Sequence, residues 1–181
     1  LYVCNMFGRG TLWVNGGRGN FTDATVARMG RTSFGATGAR AFDWSGDGRL
    51  DLYVVSMHSD MWMDVDFDPT SLPEDVKYKT MWGPATQSPL IGDPGKLRFK
   101  IDGVLFGNGL FKAEASGRFT EWSGPAGLET MWPWGIATAD FDGDGFEDVF
   151  VPSGMGYPFA YWRSPLFLNR GDGTFVDATV A

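Results

Sequence analysis

Short runs of apolar and β-branched residues, broken by glycine, asparagine and aspartate, recur along the chain, and no stretch of ten or more residues keeps a helical period. One pattern occurs three times: an apolar pair, a tight turn containing glycine, then phenylalanine. Its copies run from Leu12-Trp13 to Phe21, from Leu110-Phe111 to Phe119 and from Leu166-Phe167 to Phe175, with the aromatic of the pair eight residues before the Phe each time. Alternating segments around such turns predict β-hairpins. The first and third copies end alike, in Asp23-Ala24-Thr25 and Asp177-Ala178-Thr179.

A second pattern occurs twice. Asp43-Trp44-Ser45-Gly46-Asp47-Gly48-Arg49-Leu50-Asp51-Leu52-Tyr53-Val54 is matched 97 positions later by Asp140-Phe141-Asp142-Gly143-Asp144-Gly145-Phe146-Glu147-Asp148-Val149-Phe150-Val151. Together the two patterns predict strands at 39–42, 52–56, 109–112 and 118–122 in one unit, and at 136–139, 149–152, 166–169 and 174–178 in the next. Three more strands fall within 1–25. Four antiparallel strands repeated in tandem predict an all-β chain, a β-propeller segment with acidic loops between the first two strands of its blades. A β-sandwich of similar hairpins is the alternative, and it seldom keeps a repeated acidic loop in phase. The expected division is a partial blade at 1–25 (strands two to four), a full blade at 26–123 and a full blade at 124–181. The spacing places 41 extra residues in the middle unit, as an insertion at about 57–104. Eleven strands make fewer than three blades, so the segment is expected to belong to a larger propeller, with neighbouring blades of the same or another chain pairing beside residues 1–5 and after residue 181.

The acidic loops carry the candidate chemistry. In the second, Asp140, Asp142, Asp144 and Asp148 stand at positions 1, 3, 5 and 9, and Gly145 lets the Phe146 carbonyl turn inward. Oxygen ligands converging from one short segment suit Ca²⁺, which takes six to eight at about 2.3–2.6 Å. An EF-hand begins alike but closes with glutamate at position 12, which here is Val151. The first loop offers Asp43, Asp47, Asp51 and the Arg49 carbonyl, with Ser45 replacing the aspartate at position 3. Two Ca²⁺ sites are therefore expected, the first-loop site weaker because carboxylate count tunes affinity.

These loops, with Leu166-Phe167-Leu168-Asn169-Arg170-Gly171-Asp172-Gly173-Thr174-Phe175, resemble the FG-GAP/VCBS repeat family, related to the integrin α-subunit propeller. The middle hairpin departs from that pattern, with Ala113-Glu114-Ala115-Ser116 in place of its asparagine and first glycine. The resemblance implies extracellular, cell-surface or periplasmic scaffolding, adhesion and ligand recognition, with catalysis uncommon, and Ca²⁺ in the acidic loops.

In an up-and-down blade the acidic loops and the glycine hairpins share one face. The insertion, the 154–162 loop and the 131–134 connector then lie on the other, which gathers Trp62, Trp132, Trp134, Tyr157, Tyr161 and Trp162. Such residues suit recognition of a protein or glycan ligand, or else pack between blades. An enzyme reading, a Ca²⁺-dependent polysaccharide lyase or hydrolase, would use Asp60, Asp64, Asp66 or Asp68 as acid and base, and needs a cleft to shift their pKa values.

Composition narrows the classes further. The formal net charge is −7 and no Lys/Arg cluster occurs, which argues against nucleic-acid or anionic-membrane partners. No apolar run approaches the roughly 20 residues that a helical span needs. The single Cys4 forms no internal disulfide and reads as a small buried residue, and the single His58 gives a histidine relay or zinc centre little to stand on. Asn20-Phe21-Thr22 is an N-glycosylation sequence, expected at an exposed hairpin end.

Overall fold

The computed structural model describes residues 1–6, 8–57, 104–105, 107–130, 132–156, 160–161 and 163–179. The first sheet contains β1 (Tyr2–Val3), β2 (Thr11–Gly17) and β3 (Asn20–Asp23) in that order. The second contains β5 (Ala36–Phe42), β6 (Asp51–Ser56), β8 (Gly109–Ala113) and β9 (Phe119–Glu121). The third contains β10 (Ala137–Ala139), β11 (Asp148–Phe150), β14 (Leu166–Asn169) and β15 (Phe175–Asp177). Every pairing within these sheets is antiparallel between neighbours.

Register repeats with the sequence. Tyr2 faces Leu12, Tyr53 faces Leu110 and Phe150 faces Leu166, and across the next strand pair Trp13 faces Asp23, Phe111 faces Glu121 and Phe167 faces Asp177. A one-residue slip would turn every apolar side chain to the wrong face, so this recurrence follows from burial.

Strand β6 shows why the middle sheet sits between its neighbours. Tyr53 and Val55 belong to a buried cluster with Leu110, Leu128, Val149, Val151 and Phe167 of the second and third units. Leu52 and Val54, on the opposite side of the pleat, join Met29, Leu105 and Phe111, against which Tyr2, Cys4, Leu12 and Phe119 pack. A sheet buried on both faces by flanking sheets is the environment of a propeller blade. Cys4 is half-buried, and desolvation pushes its thiol pKa up.

Each sheet closes with a hydroxyl latch. Leu12 N–H donates to Thr25 Oγ1 (2.8 Å), Leu110 N–H to Ser123 Oγ (2.8 Å) and Leu166 N–H to Thr179 Oγ1 (3.1 Å). An acidic side chain two residues earlier, Asp23, Glu121 or Asp177, accepts the backbone N–H of that same Ser or Thr. The chain then turns through α1 (Thr25–Arg28) or α2 (Ser123–Ala126), single turns too short to leave a period in the sequence. Thr25→Val keeps the shape but leaves the Leu12 N–H without its acceptor. The expected loss is about 1–2 kcal/mol in urea unfolding, largely restored by Thr25→Ser. The Thr25 hydroxyl and N–H hold the Asp23 carboxyl below its usual pKa. That stabilisation is therefore present above the ordinary carboxylate pKa and lost as pH falls through the lowered one.

Two small pairings lie outside the blades: β4 (Thr32–Ser33) runs parallel to β7 (Val104–Leu105), and β12 (Met155–Gly156) pairs with β13 (Ala160–Tyr161). Asn20 is exposed at the start of β3, as its place in a hairpin predicts. Among the described residues no helix is long and apolar enough to cross a membrane.

Candidate functional site

The 140–148 loop joins β10 to β11. Asp140 folds it from within: Oδ1 accepts the N–H groups of Gly143 (2.7 Å) and Asp144 (3.0 Å), and Oδ2 accepts that of Gly145 (3.0 Å). Gly145 has φ +95°, a conformation that side-chain-bearing residues rarely adopt. Asp148 is fully buried and ties the loop to the blade, accepting Phe141 N–H (2.7 Å) and Asn169 N–H (2.8 Å). These bonds bring carboxylate oxygens of Asp140, Asp142 and Asp148 within 4.8 Å of one another. Asp144 stands outside that trio, its Oδ1 accepting Phe146 N–H (2.8 Å). Among the described residues no ion pair reaches any of the four aspartates. Asp140, Asp142 and Asp148 each keep acceptor capacity beyond what their N–H donors use, so the donor set fits a hard divalent cation.

The 43–51 loop repeats the frame but not the charge. Asp43 accepts the N–H groups of Asp47 (3.1 Å) and Gly48 (2.8 Å), and buried Asp51 accepts those of Ala113 (2.6 Å) and Ser45 (3.4 Å). Burial pushes the Asp51 carboxyl pKa up against these bonds. Here, however, Arg49 pairs through Nη2 with the Asp47 carboxylate, and Lys112 Nζ lies 3.7 Å from it. Desolvation raises the Asp47 pKa, but the Arg49 N–H, the Ser45 hydroxyl and the two cations together hold it below the usual range. Among the described residues this loop forms no carboxylate trio.

Asn169 joins the two loops. Its side-chain amide donates to the carbonyls of Trp44 (2.9 Å) in the first and Glu147 (3.1 Å) in the second, while its Oδ1 accepts Gly171 N–H (3.0 Å). Beside it, Trp122 Nε1 donates to the Gly173 carbonyl (2.9 Å), and a cleft of about 400 Å³ opens between the blades, lined by Trp44, Ser45, Lys112, Glu114, Trp122 and Asp172 among others. The sequence marked Asn169 only as part of a motif. Lys112 carried no signal, because its partner is distant in the chain.

At the other end of the blades, residues 132–134 run beside 152–154. Trp134 N–H donates to the Pro152 carbonyl (2.9 Å), Gly154 N–H to Trp132 (3.0 Å), and Thr37 Oγ1 of the middle sheet to Pro133 (3.0 Å). The rings of Trp132 and Trp134 lie parallel, with centroids 6.1 Å apart and planes 2° apart. Trp132 is partly buried with φ +43°, and Trp134 is 55% exposed. Gly154 leaves room for the Trp134 ring where it lies, since a Cβ there would overlap the indole nitrogen. Only the backbone of Tyr161 is described. Trp62, Tyr157 and Trp162 lie outside the described residues, as do His58 and Asp60, Asp64, Asp66 and Asp68.

Residues 1–54 and 102–151 match the family model described as FG-GAP-like repeat, and residues 132–174 match that of the FG-GAP repeat. No curated protein and no solved structure matches the chain. The first match alone covers more than half of the sequence and includes both acidic loops. With three sheets in one register and the middle sheet buried between its neighbours, the chain belongs to the FG-GAP repeat family, and its sheets are blades of a β-propeller.

Proposed function

We propose that this segment is an extracellular, cell-surface or periplasmic binding module that engages a protein or glycan ligand through the face opposite the acidic loops, with Ca²⁺ bound by Asp140, Asp142 and Asp148 stiffening the blades behind it. FG-GAP repeats are propeller-type binding or scaffold modules, typical of extracellular and secreted proteins. The observation that carries the choice of face is the Trp132–Trp134 stack. A parallel, pre-ordered indole pair with its outer ring in solvent presents a large flat contact area at little entropic cost. In the acidic loop the carboxylates supply the ligand oxygens, and the Asp140 and Asp148 bonds to backbone N–H groups hold those oxygens in place. Bound Ca²⁺ would offset the mutual repulsion of the carboxylates.

Trp134→Ala tests the face. Against a glycan array and a panel of extracellular-matrix proteins, the wild-type chain should show a ligand whose affinity falls at least about tenfold in the variant, the loss typical of an exposed aromatic anchor, with an unchanged melting temperature. A ligand bound equally well by both proteins would place recognition elsewhere.

A further inference from the structure

We propose that the 43–51 loop is held closed by two cations of the chain itself and takes no Ca²⁺, so that the protein binds one ion, at the 140–148 loop. The inference rests on the metal reading of that second loop. Three observations carry it. First, Arg49 is fixed at two points: its Nη2 pairs with Asp47, and its Nε donates to the Ala113 carbonyl on β8 (2.9 Å). Second, Lys112, also on β8, sets its ammonium 3.7 Å from the same Asp47 carboxylate and 5.9 Å from the centre of the Trp44 ring. The two cations thus tie the loop to the third strand of the blade, where a bound ion would otherwise do so.

Third, the two loops differ at these very positions. In the strand registers, Phe146 occupies the place of Arg49 and Leu168 that of Lys112, and neither carries charge. Among the described residues the loop with aspartate at position 3 has no cation paired with it, whereas the loop with Ser45 there has two. Both positive charges are set on Asp47, one of that loop's three carboxylates. A divalent ion entering it would have to take Asp47 from Arg49 and sit close to two like charges, and affinity in such loops follows ligand charge.

Calorimetric titration of Ca²⁺ into the full, chelator-stripped chain at 0.15 M NaCl decides the matter. The expected result is one ion per chain, lost in Asp142→Asn and kept within threefold affinity in Asp43→Asn. The Arg49→Phe/Lys112→Leu double variant, which copies the second loop's residues, should gain a second, weaker site. If it does not fold by circular dichroism, Lys112→Leu alone takes its place. Two ions in the wild type would overturn the inference, as would an ion lost in Asp43→Asn but kept in Asp142→Asn. A double variant that binds no more ions than the wild type would also overturn it, because the cations would then not be what excludes the metal. No ion in the wild type but one in the double variant supports it and overturns the second-loop reading instead; no ion in either overturns both.

Discussion

Chelation should lower the melting temperature of this chain, and Asp142→Ala should abolish the difference between Ca²⁺ and chelator. A metal that binds only the folded state stabilises it by mass action, about 2.7 kcal/mol when free ion is a hundred times Kd. For a chain of this size that corresponds to roughly 5–10 °C. Asp142 is the informative position because it adds little to the loop's own frame. Asp140 holds three backbone N–H groups and Asp148 anchors the loop to β14, so removing either would weaken the fold with or without metal. Asp142 caps only Asp144 N–H (3.2 Å). Wild type and Asp142→Ala should therefore melt within about 1 kcal/mol of each other in chelator, and far apart in Ca²⁺. Asp47→Ala should leave the Ca²⁺ response intact. Superimposable wild-type curves with and without chelator would end the idea.

Asn169→Leu should be the most damaging single change away from the hydrophobic clusters. The residue is 2% exposed, and every polar atom of its side chain is used. Leucine has similar volume, so the loss comes from hydrogen bonds. The Trp44 and Glu147 carbonyls lose a donor and Gly171 N–H loses its acceptor, each costing about 1–3 kcal/mol where water cannot replace the partner. Partial relaxation makes the sum less than additive, and about 3–5 kcal/mol is expected from urea unfolding. Asn169→Asp should be no milder, since it removes the donor and sets a carboxylate beside Asp148. A loss under about 1 kcal/mol would show that the two loops are not joined through this amide.

What the sequence made legible follows from how each feature is encoded. The eight-residue spacing from Trp13, Phe111 and Phe167 to the following Phe is a hairpin written locally, and burial enforces its register, so the sheets are legible in the sequence. The acidic loops were legible for the same reason, their frame being closed by bonds among neighbours such as Asp43 to Gly48 and Asp140 to Gly145. Trp132 and Trp134 were assigned to the face opposite the acidic loops by the up-and-down order of the strands, although the left-handed turn at Trp132 left no trace. Distant partners stayed hidden. Nothing near Lys112 announces Asp47, nothing near Asn169 announces Trp44, and a latch such as Leu110 with Ser123 pairs residues whose types are common everywhere. Two-residue strands such as β4 and β7 are too short to show any period.

That last pair also fixes where the chain leaves the middle blade and where it returns. Met57 N–H donates to the Gly35 carbonyl (3.3 Å) where β6 ends, and Phe34 N–H donates to the Leu105 carbonyl (2.8 Å) where the chain returns beside Thr32–Ser33. Departure and return are therefore fastened to one four-residue stretch, like two wires in one socket. Because the entropy of closing a loop grows by only about 0.6 kcal/mol per doubling of its length, the blade tolerates inserts of very different size and composition between these contacts. The middle blade is thus a position where an engineer can graft a foreign domain without rewriting the sheet that carries it.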